Sequence, residues 1–598
     1  MFNKTIRIGG ASGAWGDSQE GPAQLVHKGN IDYLVFDYLA EITMSILAKA
    51  YAKSDQLGYA TDFVTSAMKP LIKDIAKKKI KVIANAGGVN LKACQAALQK
   101  VADEAGVTLR VGIVEGDNLL DRADEFRAAS VTEIGTGKAL PENVMSINAY
   151  LGAIPIAAAL DAGADIVITG RVVDSAVSLG ALMHEFGWQA DEYDKLAAGT
   201  LVGHLLECGC QATGGNFTDW KLVADDWDNM GFPIAECRPD GSFVMTKPEG
   251  TGGLVSPHTV GEQMLYEIGD PQAYIVPDVV CDFSRTTLNQ VSENQVLVEN
   301  VYGYPPTDTY KVCATFADGY KATHSQTFTG FDAPQKARAM AEAGIRKTQR
   351  MFKERGFKDY RNTAVHLIGT STLWGNHAGD ERENARELVL KIDVYHDQRE
   401  AVDLFSKEIV GTGLSMSTGR CAAGAPGRPK ISPVARLFSF LLDKANVPIR
   451  VDVDGESVTF NNPTQGGYEP QSVERQHFSE MEVDLRDASA VQLIELAVAR
   501  SGDKGNDANV GVIARRQEFI PYIKSALTTE SVEKWFSHVC EGPVERFELP
   551  GTNAFNFLLH DALGGGGVGS LNLDVQAKTY AQQLLAFPVL LPRTLLNS

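Results

Sequence analysis

The chain has 598 residues, of which 44% are hydrophobic, 22% charged and 8% aromatic, a globular composition that excludes disordered, collagen-like and low-complexity architectures. Asp and Glu number 75 against 56 Lys and Arg, a formal charge of −19. A surface of that sign repels phosphate backbones and anionic headgroups, which excludes non-specific nucleic-acid binding and membrane docking and leaves any anionic ligand to a local site.

Through residue 190 the chain repeats one unit: a short β-branched run, a glycine-containing loop, then a helix-length segment. Residues 5–8 run into GGASGAWGDS and an amphipathic stretch at 21–28; residues 33–36 lead into DYLAEITMSILAKAY; residues 81–84 lead into NAGGVN and LKACQAALQKVADEAG. Residues 109–114 precede EGDN, and residues 165–169 precede GRVVDSAVSLGALMHEF. Strands alternating with helices imply an α/β fold with a mainly parallel sheet, whose carboxyl strand ends share one ligand-binding edge. From about residue 203 to 460 the pattern is mixed, with strand-like runs (VLVENVYGY, YKVCATF, ELVLKIDVYH), glycine-rich loops and one long helix at 333–355. Residues 461–488 are polar and punctuated by Pro and Gly, a linker composition. Beyond them strands at 491–499, 509–514, 545–549 and 554–559, helices at 519–527 and 531–539, and a last helix at 574–585 predict a compact α+β unit.

The eight cysteines include no C-x-x-C pair, and the first 17 residues hold no signal-type apolar core, so a reduced, cytoplasmic protein is expected. No uncharged apolar run of about 18 residues occurs, so no membrane span is expected.

Candidate site residues collect in the loops after the strands. Ser12, Gly13, Trp15 and Asp17 lie in the first glycine loop, which offers backbone N–H groups to an anion or merely turns the chain before a cap at Ser18. It matches neither G-x-G-x-x-G nor G-x-x-x-x-G-K-[ST]. Asn85, with Gly87 and Gly88, either polarises a carbonyl oxygen or satisfies a turn. Glu41 opens a helix, and Arg171 with Asp174 either holds a carboxylate beside a base or caps one. His204 and Glu207, three apart, share a helix face beside Cys208 and Cys210; this cluster reads as a base, a thiolate nucleophile or buried structure, and C-x-C is a poor zinc signature, so no metal is expected. Lys247, Arg420 and Arg428 sit in glycine-rich loops as cations for a substrate acid or phosphate. Asp503 and Lys504 belong to ARSGDKGNDANVG, a turn too elaborate for a minimal hairpin, which either closes over the large domain's site or docks a neighbour.

Taken together, IRIGGASGAWGDS, FDYLAEITM, IANAGGVN, ITGRVVDSAVSLG, GHLLECGCQATGGNF, KPEGTGG, YEIGDPQAY, ARSGDKGNDANVG and LGGGGVGSLNLD resemble the acyclic terpene utilisation protein A (AtuA) family in order and over nearly the whole length. The resemblance implies an N-terminal α/β domain over 1–460, a linker over 461–488 and a C-terminal ferredoxin-like domain over 489–598. It also implies a place in the catabolism of branched acyl-coenzyme A thioesters beside acyl-CoA carboxylases. The expectation is a hydratase or lyase with no cofactor beyond the coenzyme A of its substrate. Asp174 or Glu207 would move the proton, Asn85 and the loop at Ser12 would stabilise the enolate, Arg171 would orient a carboxylate, and Arg420 or Arg428 would hold phosphate. A Cys208-dependent thioesterase or transferase and a non-catalytic assembly component are the alternatives. A homo-oligomer is expected.

Overall fold

A computed structural model describes residues 4–422, 427–480 and 482–596. The first sheet is built on strands β1 (Ile6–Gly10), β2 (Tyr33–Phe36), β3 (Lys81–Ala84) and β4 (Val111–Glu115). A fifth strand, β5 (Val144–Ala149), leaves for another sheet, while β6 (Ile166–Thr169), β7 (Ile234–Cys237) and β8 (Phe243–Thr246) return to the first. Within the 11-stranded sheet the central order is β8-β7-β1-β2-β3-β6-β4. The run β1-β2-β3-β6-β4 is parallel. Both flanks are antiparallel: β7 against β1 on one side, and Arg450–Val453 against β4 on the other. The expectation of a mainly parallel sheet therefore holds for the core and not the margins. The core strands are buried on both faces, as YLVF and IVIT are throughout, and parallel strands need that double cover.

The intervening helices are α1 (Glu20–Lys28), α2 (Glu41–Tyr51), α3 (Lys69–Lys78), α4 (Leu91–Ala105), α5 (Ala123–Ala128), α6 (Ile154–Asp161), α7 (Ala176–Phe186), α8 (Tyr193–Leu206) and α9 (Pro257–Leu265). Helix α8 is buried along nearly its whole length, and two glycines make that possible. A Cβ at Gly203 would stand 2.5 Å from the Ser175 backbone, and one at Gly10 would stand 2.5 Å from the Leu206 carbonyl oxygen. Both contacts are with backbone, so the end of α8 is seated directly against β1 and the loop before α7. That seating brings residue 207 to the carboxyl edge of the parallel strands.

A second, 6-stranded sheet is organised by the bent strand Thr309–Thr329, which pairs with β5, Glu387–His396, Arg420–Ala422 and Ile431–Asp443. The long helix expected at 333–355 forms as Ala333–Arg355 and packs against this sheet. The C-terminal unit is a 4-stranded antiparallel sheet in the order Ala497–Lys504, Asp507–Ala514, Ala554–Leu559, Val544–Leu549, covered by short helices. The helix expected at 574–585 is shorter than its sequence suggests, spanning only Tyr580–Leu584, and a further short helix, Arg593–Leu596, ends the unit. The Asp574 carboxylate accepts the backbone N–H groups of Lys578 (2.9 Å) and Thr579 (2.7 Å), a local turn that competes with helix.

Between the units, the polar segment from residue 461 runs over both. The Gln476 backbone N–H donates to Gln272 Oε1 at 2.7 Å, Gln272 Nε2 donates to the Gln476 carbonyl at 2.8 Å, and the Phe478 N–H donates to Glu548. Among the described residues no helix is long and apolar enough to cross a membrane, and all eight cysteines are unpaired.

Candidate functional site

A cleft of about 1740 Å³ opens where the carboxyl ends of β1, β2 and β6 meet the end of α8 and the C-terminal unit. Its centre is Arg171, two residues past β6 and only 3% exposed. The guanidinium donates to Asp174 at 2.6 Å and to the Val172 carbonyl at 2.7 Å, and it lies 4.2 Å over the Tyr150 ring. Burial opposes its charge, but Asp174, Tyr150, Glu41 and Asp37 outweigh that and hold the proton more firmly than usual. The Arg171 N–H is itself fixed by buried Asp117 at 2.8 Å.

Around this cation the cleft gathers acids. Glu41, first residue of α2, accepts from the Tyr150 hydroxyl and faces Lys311 at 3.8 Å. Burial would raise its pKa, but Lys311 and Arg171 reverse that and bring it to about 2. Asp37 and Glu207 behave oppositely. Burial first, then the nearby Asp174 carboxylate, pushes Asp37 well above the usual carboxylate range. Burial likewise raises Glu207 against the lowering effect of His204, whose Nδ1 lies 2.9 Å from it. Carboxyl groups raised by burial and by one another hold their protons to higher pH than exposed carboxylates do.

Gly13, Trp15 and Asp17 also line the cleft, but the glycine loop does not offer its N–H groups to a ligand as expected. The Gly13 N–H donates to Asp17 Oδ2 at 2.8 Å and the Ser18 N–H to Asp17 Oδ1 at 2.6 Å, so the loop's own carboxylate fills the anion position. Ser12 is buried, donating to the Asp37 carbonyl at 3.2 Å. Asn85, Gly87 and Gly88 lie behind the cleft wall. Asn85 accepts the Tyr38 N–H at 2.7 Å and donates to the Asp37 carboxylate, so it positions Asp37 instead of meeting a carbonyl oxygen. Gly88, at φ +55°, leaves the close approach of the Gly58 carbonyl possible. His204 is buried beneath Glu207, its Nε2 without a partner. Cys208 faces the cleft, but burial and then the Glu207 and Glu267 carboxylates push its thiol well up, which disfavours a thiolate.

Three expected cations lie elsewhere. Lys247 donates to the Thr251 carbonyl, two strands out from β1. Arg420, on the second sheet, donates to the Thr412 carbonyl at 2.8 Å. Arg428 is exposed, and residues 423–426 of its loop lie outside the described residues.

The C-terminal unit supplies the remaining wall. The turn between Ala497–Lys504 and Asp507–Ala514 points Asp503 and Lys504 into the cleft, so the elaborate hairpin closes over the large domain's site. Opposite it, Glu267 holds φ +58° although it is not glycine, with its N–H on the Asn509 side chain at 3.0 Å and its carboxylate on Lys578 at 2.8 Å. Lys578 also reaches Tyr266 and lies 3.6 Å from Asp503. A non-glycine residue kept in this region costs of order 1 kcal/mol or more, and such strain concentrates at functional sites. Burial and then Glu267 raise Asp503 to about 6.

At the cleft's edge His560 bridges Asp507 (3.0 Å) and Glu545 (2.7 Å). Burial disfavours its charge, but the two carboxylates prevail and raise its pKa. A raised folded-state value contributes stability that is full below the unfolded pKa of about 6.5 and is lost as pH rises through the folded one. His560→Gln is therefore expected to remove part of the loss of thermal stability seen on raising pH above about 6.5, read by melting curves across a pH series.

Sequence reasoning passed over Asp37, Tyr150, Tyr266, Glu267, Lys311 and Lys578. Asp37 directly follows β2 and carries the same strand-end signal that singled out Arg171; the others come from segments whose approach to the cleft only the fold reveals. Among the described residues no three His, Cys, Asp or Glu side chains gather as a metal site requires.

A family model described as acyclic terpene utilisation family protein AtuA matches residues 6–453, and one described as the AtuA ferredoxin-like domain matches residues 491–590. No curated protein and no solved structure matches the chain. On that span of agreement, the chain belongs to the acyclic terpene utilisation family AtuA, and its C-terminal unit is the family's ferredoxin-like domain.

Proposed function

We propose that this protein is an enzyme of acyclic terpene breakdown that moves a proton on a branched acyl thioester, as a hydratase or lyase. The observation that supports this most is the gathering of Asp37, Asp174 and Glu207 around the buried Arg171 in one cleft. In the elimination direction a carboxylate, Asp174, takes a proton from the carbon next to the thioester carbonyl. A carboxylic acid, Glu207 or Asp37, gives its proton to the departing β-hydroxyl, and alkene and water result; hydration is the reverse. Two carboxyl groups with raised proton affinities beside Asp174, which is paired with Arg171, offer an acid and a base in one cleft.

The apolar part of the substrate also has support. Large hydrophobic side chains are usually covered, yet Ile134 (56% exposed), Trp227 (54%), Ile275 (54%) and Leu441 (57%) all lie exposed on the cleft. Leu441 pairs with Lys311 across the strands and the Ile134 N–H donates to Ser439, so an apolar wall stands beside the Glu41–Lys311 pair. Against the alternatives, the raised Cys208 thiol weakens a thioesterase or transferase reading, and the C-terminal hairpin that suggested docking to another protein faces the cleft.

The test is a thermal-shift and turnover panel of isovaleryl-, 3-methylcrotonyl- and 3-hydroxyisovaleryl-coenzyme A and the free acids. A melting-temperature rise and product formation with at least one thioester, lost from turnover in folded Asp174→Asn, is the expected result. No shift and no product with any member would refute the reading.

A further inference from the structure

An anionic ligand needs a cation, and on a chain of formal charge −19 the cation must be local. The cleft has five lysines and arginines within reach of its walls, and four are committed, Arg500 among them through the Asn216 carbonyl and the Gln211 side chain. Arg171 is paired with Asp174 at 2.6 Å, Lys311 with Glu41 at 3.8 Å, and Lys578 with Glu267 at 2.8 Å. The fifth is Lys504. It is exposed on the cleft, its ammonium 5.5 Å from the centre of the Tyr274 ring; it helps hold Glu267 low from a distance but forms no ion pair within 4.0 Å among the described residues.

Its backbone is held firmly. Lys504 ends the strand Ala497–Lys504 and pairs with Asp507 across a turn whose Gly505 stands at φ +68°. The turn is anchored from the far side. Asn506 donates to Asp561 at 2.7 Å and accepts the Gly565 N–H at 2.6 Å, while its carbonyl receives the N–H groups of Ala562 (3.0 Å) and Leu563 (3.1 Å). A Cβ at Gly566 would stand 2.2 Å from the Gly505 carbonyl oxygen, so only glycine lets LGGGGVGS back this turn so closely. The two glycine-rich loops of the C-terminal unit thus pack on one another and hold the backbone at Lys504 over the cleft.

Resting on the reading of the cleft as an acyl-thioester site, we infer that Lys504 is the anion-binding residue of that site, contributed by the C-terminal domain to a centre otherwise built by the N-terminal one. The group it takes is a carboxylate or phosphate oxygen at one end of the ligand. It replaces the cations expected in the loops of Lys247, Arg420 and Arg428, which lie elsewhere, and the glycine loop, whose N–H groups Asp17 occupies.

Thermal-shift titrations of wild type, Lys504→Met and Lys504→Arg with pyrophosphate, 3-methylcrotonate, 3-methylcrotonyl-coenzyme A and its S-pantetheine analogue test this. Lys504→Met is expected to keep the unliganded melting temperature and to weaken binding of at least one anionic probe by about tenfold or more, with Lys504→Arg restoring most of it. Weakening with coenzyme A thioester and pyrophosphate but not the pantetheine analogue assigns phosphate; weakening with 3-methylcrotonate assigns carboxylate. Unchanged affinity for every probe in Lys504→Met, or no anion-dependent shift in wild type, overturns the inference. A wild type that binds pyrophosphate through Lys504 yet turns over no thioester leaves the anion site standing and refutes the proposed reaction alone.

Discussion

Arg171→Met is expected to destabilise the protein by about 3 kcal/mol at neutral pH, the lower part of the range for removing one partner of a buried ion pair. The side chain is 4% exposed and neutralises Asp174 directly, with Glu41 and Asp37 close enough to shift its proton affinity. Methionine fills a similar volume, so the loss comes from stranded carboxylates and not from a cavity. Asp174 is 36% exposed and water can reach it, which is why the upper end of the range is not expected. The effect has a pH signature. In wild type Arg171 helps keep Glu41 low, so that contribution is present above the unfolded pKa and lost as pH falls. In the variant Asp37 is raised further, and a raised acid contributes stability below its unfolded pKa that is lost as pH rises. Guanidinium denaturation should therefore show the deficit shrinking as pH falls through the unfolded Glu41 value of about 4.5 toward its folded value of about 2. A deficit that is constant with pH would mean that packing against Tyr150, and not charge, holds the site.

Glu207→Gln is expected to lower turnover of the responsive thioester by about 10²- to 10⁴-fold, the usual contribution of a positioned acid or base. Stability should be unchanged or slightly higher, because the glutamine oxygen still accepts from His204 Nδ1 while a buried acid is removed. Loss of activity without loss of folding separates this residue from Arg171, whose removal costs both. A variant that retains wild-type turnover would remove Glu207 from the chemistry and leave Asp37 as the acid.

The parallel core was readable because each strand is short, β-branched and followed by glycine or a polar loop, and because parallel strands must present their carboxyl ends on one edge. That rule alone brings Gly13, Glu41, Arg171 and Asp174 to a common cleft. His204 and Glu207 were legible through helix spacing, and their 2.9 Å contact follows from it. Roles within the loops were not legible, since they depend on which hydrogen bonds are already made. Asp17 satisfying Gly13 and Asn85 holding Asp37 are local closures that composition does not reveal. Lys311 and Lys578 reach the cleft from the second sheet and from a turn made by Asp574 where helix was expected. No spacing rule links such distant segments. The antiparallel flanks of the sheet were missed because strand direction is set by which distant segments pair, as Arg450–Val453 does with β4, and residue type does not encode that.

The most direct measurement is hydrogen exchange at the carbon beside the thioester carbonyl. Isovaleryl-coenzyme A is incubated in deuterium oxide with wild type and with Glu207→Gln, Asp174→Asn and Asp37→Asn, and its mass is followed. Wild type should incorporate deuterium at that carbon, and at least one of the three variants should lose the exchange while still binding the ligand. Binding without any enzyme-dependent incorporation in wild type, or equal incorporation in all four proteins, would contradict the assignment of proton transfer to this carboxyl cluster.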